Sequence, residues 1–150
     1  MRFAIDALSL RQPHTGVQKA LTGLLSGFAA LVRDEDPSIA ADDSFVVLAG
    51  RKAELPSLPD RFTVLRTFFR AENRLVRAVY QQFRLHGRVF GAGADMLHSP
   101  AYVAPRFAYL PVVLTMHDTF VFDFPDLCSR ANVAHFRNIV PGSVKIARRI

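Results

Sequence analysis

The chain has 150 residues, 50% of them hydrophobic and 21% charged, which predicts one domain with a buried core and excludes disordered or collagen-like chains. A single cysteine, Cys128, excludes a disulfide framework, and no run of about 18 apolar residues is present that could cross a bilayer. The net charge of +6 is uneven, because residues 1–60 hold 6 basic and 8 acidic side chains and residues 61–150 hold 13 and 5, which predicts an anionic partner.

The first part of the chain predicts a strand, a loop and a long helix. The N-terminus lacks the apolar stretch of a secretory signal, so we expect a cytoplasmic protein. A buried strand is predicted over residues 2–8, followed by a polar turn over residues 11–16. The next apolar side chains have the i, i+3, i+4, i+7 spacing of one helix face. They are Val17, Ala20, Leu21, Leu24, Leu25, Phe28, Leu31 and Val32.

The remaining segments continue the alternation of strands and helices. Two β-branched and aromatic runs, residues 44–50 and 62–68, predict buried strands. They are followed by a predicted helix over residues 71–90 and by predicted strands over 95–98 and 111–116. The last predicted helix covers about residues 126–149 and is kinked or interrupted at Pro141–Gly142. This order predicts an α/β fold, a Rossmann-like parallel sheet with helices on both faces. The chain ends where a new strand begins, so we expect a fragment of a longer protein.

Polar residues at the carboxyl ends of the predicted strands are the candidate site, because ligands bind there in open α/β sheets. Thr15–Gly16 lets a ligand approach the backbone at a helix N-terminus, or the glycine serves only the turn. His98, with Tyr102 nearby, and His117–Asp118 each place a histidine after a strand. Either histidine is a ligand-binding group or a structural one.

Spacings of known metal and nucleophile motifs are missing. HxxxH, HExxH, GxSxG, GxGxxG and GxxxxGK[ST] do not occur, so zinc, a serine hydrolase elbow and the common phosphate loops are disfavoured. The one acidic triplet of DxD type, residues 34–36, lies in a loop that follows a helix and is interpreted as a solvated helix end. We therefore expect no metal cofactor.

Four segments in this order resemble the N-terminal half of GT-B glycosyltransferases of family 4. They are residues 3–7, Thr15–Val17 at the start of the leucine-rich helix, residues 95–100 and residues 111–118. The resemblance implies one of two Rossmann-like domains that face a cleft, here the acceptor-side domain over residues 1–150. The C-terminal domain, which binds most of the nucleotide-sugar donor, is expected to be absent from this chain, so this part alone is expected to be inactive.

The resemblance also assigns roles to single residues. It implies that Gly16 and Val17 line the cleft near the donor phosphates, that His117 lies beside the transferred sugar, and that His98 and Tyr102 meet a glycan or lipid-linked acceptor. Asp118 belongs with His117 at the catalytic position, and it and Asp6 are expected to support the site rather than react. Such enzymes retain the anomeric configuration, and the leaving phosphate helps to deprotonate the acceptor. The alternative is a non-catalytic α/β module that binds an anionic ligand or a membrane surface.

One face of the predicted helix over residues 71–90 is strongly basic. At 100° per residue, the arginines project within about 80° of one another. They are Arg70, Arg74, Arg77, Arg84 and Arg88. The opposite side is apolar and is expected to be buried on the sheet. The basic side is either a solvated face or contacts membrane phospholipid or a phosphorylated acceptor, whereas nucleic acid is disfavoured because no aromatic residues are interleaved.

Overall fold

The computed structural model describes residues 1–10, 15–69 and 73–150. Its strands are β1 (Arg2–Ala7), β2 (Ser44–Ala49), β3 (Phe62–Arg66), β4 (Met96–Ser99) and β5 (Val112–Leu114). Its helices are α1 (Gly16–Arg33), α2 (Arg74–Phe83), α3 (Leu85–Gly91), α4 (Phe120–Asp123) and α5 (Arg130–Ile146), with a 3-10 turn at Pro125–Leu127. The strands form a parallel sheet in the order β3-β2-β1-β4-β5, so the predicted α/β, Rossmann-like fold is confirmed. None of the helices described has the length and apolar character needed to span a bilayer.

The central strands are mostly apolar because both of their faces are covered. Successive side chains of a strand point to opposite faces of the sheet. On β1, Ile5 belongs to the core that contains Leu25 of α1, whereas the adjacent Ala4 belongs to the core that contains Leu85 and Val89 of α3. The sequence pattern of a doubly covered parallel sheet is therefore reproduced in the two cores.

The prediction of a buried strand over residues 62–68 is correct for the strand and wrong for its burial. Thr63 and Arg66 are exposed because, in the part of the chain that is described, β3 pairs only with β2 and lies at the edge of the sheet. The Arg66 guanidinium folds back along this edge and donates to the carbonyl oxygens of Gly50 at 3.1 Å and Ala53 at 3.0 Å. These bonds attach the edge strand to the loop after β2.

The single helix predicted over residues 71–90 is two helices, separated at Arg84. The expectation that its apolar side packs on the sheet is also wrong for most of that side. Five of its large apolar side chains are between 42% and 78% exposed: Leu75, Val76, Val79, Phe83 and Phe90. Because the helix breaks, α3 instead packs on the sheet through Leu85 and Val89, and the buried residue of α2 is the polar Gln81.

The last helix, α5, begins later than predicted and continues without interruption through Pro141. Ser143 fixes this part of the helix, since its hydroxyl donates to the Ile139 carbonyl and accepts from the Ala104 N–H at 2.9 Å. After α5 the chain pairs with β5 in a parallel sense. The Arg148 N–H donates to the Val112 carbonyl at 2.8 Å, and Val113 forms a parallel bridge with Arg149.

Phe45 of β2 is the centre of the aromatic packing beneath α1. The centroid of its ring lies 4.5 Å from that of Phe62 and 5.2 Å from that of Phe28, and the side chain is 1% exposed. We expect Phe45→Ala to lower the free energy of unfolding by about 3–5 kcal/mol in urea denaturation, because it removes buried surface and leaves a cavity. Phe107→Ala, at a side chain 60% exposed, is the matched control and should change it by less than about 0.5 kcal/mol. Equal losses in the two variants would contradict the packing described.

Candidate functional site

A cavity of about 200 Å³ opens at the carboxyl edge of the sheet. The ends of β1 and β4 are adjacent there, although the chain passes through β2 and β3 between them, so this is the switch point at which open α/β sheets bind ligands. The lining side chains include Thr15 and Val17 at the start of α1, Arg77 and Gln81 of α2, Tyr102 after β4, and His135 of α5. The cavity therefore joins four segments that are distant in sequence.

Asp6, at the end of β1, anchors this edge. Its carboxylate is 3% exposed, accepts from the Leu8 N–H at 3.0 Å and accepts from the Gln81 side-chain amide at 2.6 Å. Burial raises the pKa of Asp6 to about 6, and the Leu8 and Gln81 hydrogen bonds and the Arg77 charge oppose that rise. The carboxylate does not line the cavity itself, and the supporting role of Asp6 stays a prediction.

The start of α1 is held by a buried side chain. The Gln18 carbonyl oxygen accepts from the Thr15 N–H at 2.7 Å, and its amide donates to the Ser9 carbonyl at 2.9 Å. Val17 lines the cavity. A Cβ on Gly16 would meet no atom of the described residues within 4 Å, so packing against that part of the chain does not require glycine here.

Tyr102, His117 and Asp118 form one contact group. The Tyr102 hydroxyl donates to the Asp118 carboxylate at 2.8 Å, and its ring lies edge-on to that of His117 at a centroid distance of 5.5 Å. Burial and the Asp118 carboxylate raise the pKa of Tyr102 well above its usual range. The Tyr102 backbone has φ of 64°, a left-handed conformation that costs about 1–3 kcal/mol in a bulky residue and occurs often at functional sites.

His98 is not part of this group. Its Nε2 lies 2.8 Å from the Thr115 hydroxyl, and its side chain lines a different cavity, of about 330 Å³, with Phe28 and Phe45 on the α1 side of the sheet. Tyr102 also contacts Thr115, since its N–H donates to the Thr115 carbonyl at 3.1 Å. The role of His98 and Tyr102 in binding the acceptor stays a prediction.

The predicted arginine face is divided among several places. Arg70 lies outside the described residues, and Arg74 begins α2. Arg77 lines the cavity, whereas Arg84 separates α2 from α3 and is exposed, as is Arg88 of α3. Of the arginines whose side chains are described, Arg77 therefore lines the cavity, whereas Arg84 and Arg88 are exposed to solvent.

Several polar cavity residues were not among those predicted for the cleft, including Gln81 of α2, and Asn132 and His135 of α5. Arg77 was predicted, but for an outer surface. The spacing of Arg77 and Gln81, one helical turn apart on the polar side of α2, is the signal that could have placed both at one site. Nothing in the sequence pattern separates Asn132 and His135 from ordinary polar positions on a helix.

Within residues 1–10, 15–69 and 73–150, no three His, Cys, Asp or Glu side chains are grouped so as to hold a metal ion. Of the acidic triplet over residues 34–36, Asp34 ends α1 and the Asp36 carboxylate accepts from the Ser38 N–H and hydroxyl at 2.8 and 2.5 Å. This is the geometry of a solvated helix end, as interpreted from the sequence.

Comparison of the chain with protein-family models, with curated proteins and with solved structures finds no match. The site is therefore interpreted from its own geometry and chemistry.

The titration of Asp6 predicts a pH-dependent stability. Because its pKa is raised in the folded state, the contribution of this group is complete below about pH 4 and is lost as the pH rises through about 6. The side chain at position 6 does not titrate in Asp6→Asn. Between about pH 4 and 7, the free energy of unfolding of the wild type should therefore fall by roughly 3 kcal/mol relative to that of Asp6→Asn. Urea denaturation measures this difference, with Asp126→Asn, an exposed carboxylate, as the control. A difference that is the same at both pH values would contradict it.

Proposed function

We propose that the chain is the acceptor-side Rossmann-like domain of a retaining GT-B glycosyltransferase of family 4. It moves a sugar from a nucleotide-sugar donor to a glycan or lipid-linked acceptor. The donor is held mainly by a second, C-terminal domain, and no metal cofactor is part of the proposal. Support comes from the confirmed Rossmann-like fold and from the position of the cavity at the switch point of its sheet.

One observation carries the proposal. Tyr102 lines the same cavity as Val17 and also contacts His117 and Asp118. Two of the segments on which the family resemblance depends, Thr15–Val17 and residues 111–118, are therefore linked through Tyr102 at one edge of the sheet, although more than 90 residues separate them in the sequence. The Tyr102 backbone is strained, which costs free energy. Packing of the fold alone does not explain that strain.

The geometry of His117 fits a role beside the transferred sugar. Its Nε2 lies 2.9 Å from the Pro100 carbonyl oxygen. Because a carbonyl can only accept, Nε2 carries the proton, and Nδ1 of the neutral ring is left as an acceptor. The side chain is exposed, so a sugar hydroxyl can reach it. Asp118 fixes its neighbour Tyr102 and accepts from the Phe120 N–H at 3.0 Å, which suits a supporting role.

Steady-state kinetics with a panel of nucleotide sugars, on the full-length gene product, tests the proposal. We expect His117→Ala to lower kcat about 100-fold with little change in KM, because a group beside the reacting sugar matters most in the charged transition state. His86→Gln, a histidine of α3 outside the cavity, is the control. Wild-type kcat in a folded His117→Ala protein, or no transfer from any donor by the wild type, would contradict the proposal.

A second candidate, the non-catalytic module that binds an anionic surface, is favoured by a different observation. Leu75, Val79, Phe83 and Phe90, here called the apolar α2–α3 face, are between 55% and 78% exposed. Residues 73–94 contain four arginines and no acidic residue. Exposed apolar side chains beside arginines are typical of helices that lie in a membrane interface, and the inner leaflet is anionic. The module would be cytoplasmic and peripheral on the inner membrane face, a location that is also compatible with the glycosyltransferase.

Co-sedimentation with vesicles tests this contact. Leu75→Ser, Val79→Ser and Phe83→Ser together should weaken binding to anionic vesicles, because they remove the surface that enters the interface. Arg84→Gln with Arg88→Gln should weaken it by about five-fold for each charge and reduce its salt dependence. Leu127→Ser, at a side chain 75% exposed outside α2 and α3, is the control and should bind as the wild type does. Equal binding of the wild type to neutral and anionic vesicles would contradict the candidate.

A further inference from the structure

A second cavity, of about 330 Å³, opens on the α1 side of the sheet. Its lining comes from β1, β2, β4 and β5, from Phe28 of α1 and from Ile39 in the loop that follows α1. Phe3 and Met96, which also line it, lie near the amino ends of their strands. None of the described residues lines both this cavity and the one at the carboxyl edge, so the two are separate.

Aromatic rings form much of this lining. The ring centroid of Phe45 lies 5.6 Å from that of Phe3 and 5.2 Å from that of Phe28, and all three side chains line the cavity with the thioether of Met96. Aromatic rings and thioethers attract a further ring at centroid distances of roughly 4.5–7 Å. An apolar cavity of about 150 Å³ is enough to bind benzene, so about 330 Å³ has room for one ring with a substituent.

His98 supplies a polar group with spare hydrogen-bonding capacity. Its Nε2 lies 2.8 Å from the Thr115 hydroxyl, and its Nδ1 has no partner in the described part of the chain. Burial lowers the pKa of His98, so the imidazole is neutral at physiological pH. In a neutral imidazole one nitrogen donates and the other accepts. A hydroxyl group does both, so it can pair with Nδ1 in either tautomer of the ring.

The charge around the cavity disfavours an anionic ligand. Asp43 is among the lining residues, and its carboxylate accepts from the N-terminal amine of Met1 at 2.7 Å and from the Ala40 N–H at 3.1 Å. The hydrogen bond from that amine holds the pKa of Asp43 below its usual range, so the carboxylate is charged at neutral pH. A charged ligand would also lose its hydration against an apolar lining. The lining therefore fits an uncharged molecule.

We propose that this cavity binds an uncharged, single-ring aromatic molecule that carries one hydroxyl group. Its ring lies against the phenylalanines and Met96, and its hydroxyl forms a hydrogen bond with Nδ1 of His98. Sites of this kind, with an apolar lining and few polar groups, are typical for small molecules. This site goes beyond the glycosyltransferase function and does not depend on it, because the cavity is separate from the carboxyl edge of the sheet.

Titration of p-cresol into the isotope-labelled chain, followed by amide chemical shifts, tests the proposal. We expect shifts confined to residues around the cavity, and toluene, which lacks the hydroxyl, should bind about five-fold more weakly. His98→Leu should weaken the binding of p-cresol by a similar factor and leave that of toluene unchanged. His86→Leu removes an imidazole from α3, on the other side of the sheet, and is the matched control. Val113→Phe adds a ring to the cavity lining and should weaken both ligands by about ten-fold or more.

Shifts scattered over the surface, or equal binding of p-cresol by the wild type and Val113→Phe, would overturn the proposal. So would equal weakening of p-cresol and toluene by His98→Leu, or binding of the p-toluate anion as tight as that of p-cresol. Shifts of the same amides on dilution without ligand would show that a second copy of the chain covers the cavity, and the proposal would be wrong. Circular dichroism of each variant checks folding, and His98→Leu keeps the test decisive if Val113→Phe does not fold.

Discussion

The hydrogen bond between the Asp6 carboxylate and the Gln81 amide decides which side of α2 faces the protein. A buried carboxylate needs partners, and Gln81 supplies one from a helix that otherwise contributes few buried side chains. With Gln81 turned inward, Arg77 one turn earlier reaches the cavity. The apolar residues on the other side, such as Leu75 and Val79, are left in solvent. The same hydrogen bond therefore places Arg77 at the cavity and leaves the apolar side of α2 exposed.

A second polar contact fixes the loop that follows the neighbouring strand, β4. Tyr102 follows β4, and its hydroxyl bond to Asp118 joins that loop to the segment after β5. The backbone N–H of Tyr102 also donates to the Thr115 carbonyl at 3.1 Å. Two hydrogen bonds from one residue in a strained conformation join the ends of adjacent strands, so the wall of the cavity is positioned before any ligand arrives.

The strands and α1 could be predicted from the sequence because the spacing of their apolar residues fits one type of element each in a sheet that is covered on both faces. The orientation of α2 could not. Its amphipathic pattern shows that one side is apolar, but the pattern does not say which side is packed, and here a single buried acid on β1 outweighs the apolar residues. His135 had no signal in the sequence, since only the packing of α5 places it beside the cavity.

The two sides of the sheet differ in how they meet other chains. On the β3 side, the Arg66 guanidinium donates hydrogen bonds to loop carbonyls. Thr63 and Arg66 are exposed and place polar groups along a strand of only five residues. Short, charged edge strands are poor templates for intermolecular β-pairing. On the β5 side the backbone of Arg148 and Arg149 already occupies the hydrogen-bonding groups of Val112 and Leu114. The two flanks therefore differ: β3 is a short, charged edge strand, whereas the backbone of β5 is already paired with the segment after α5.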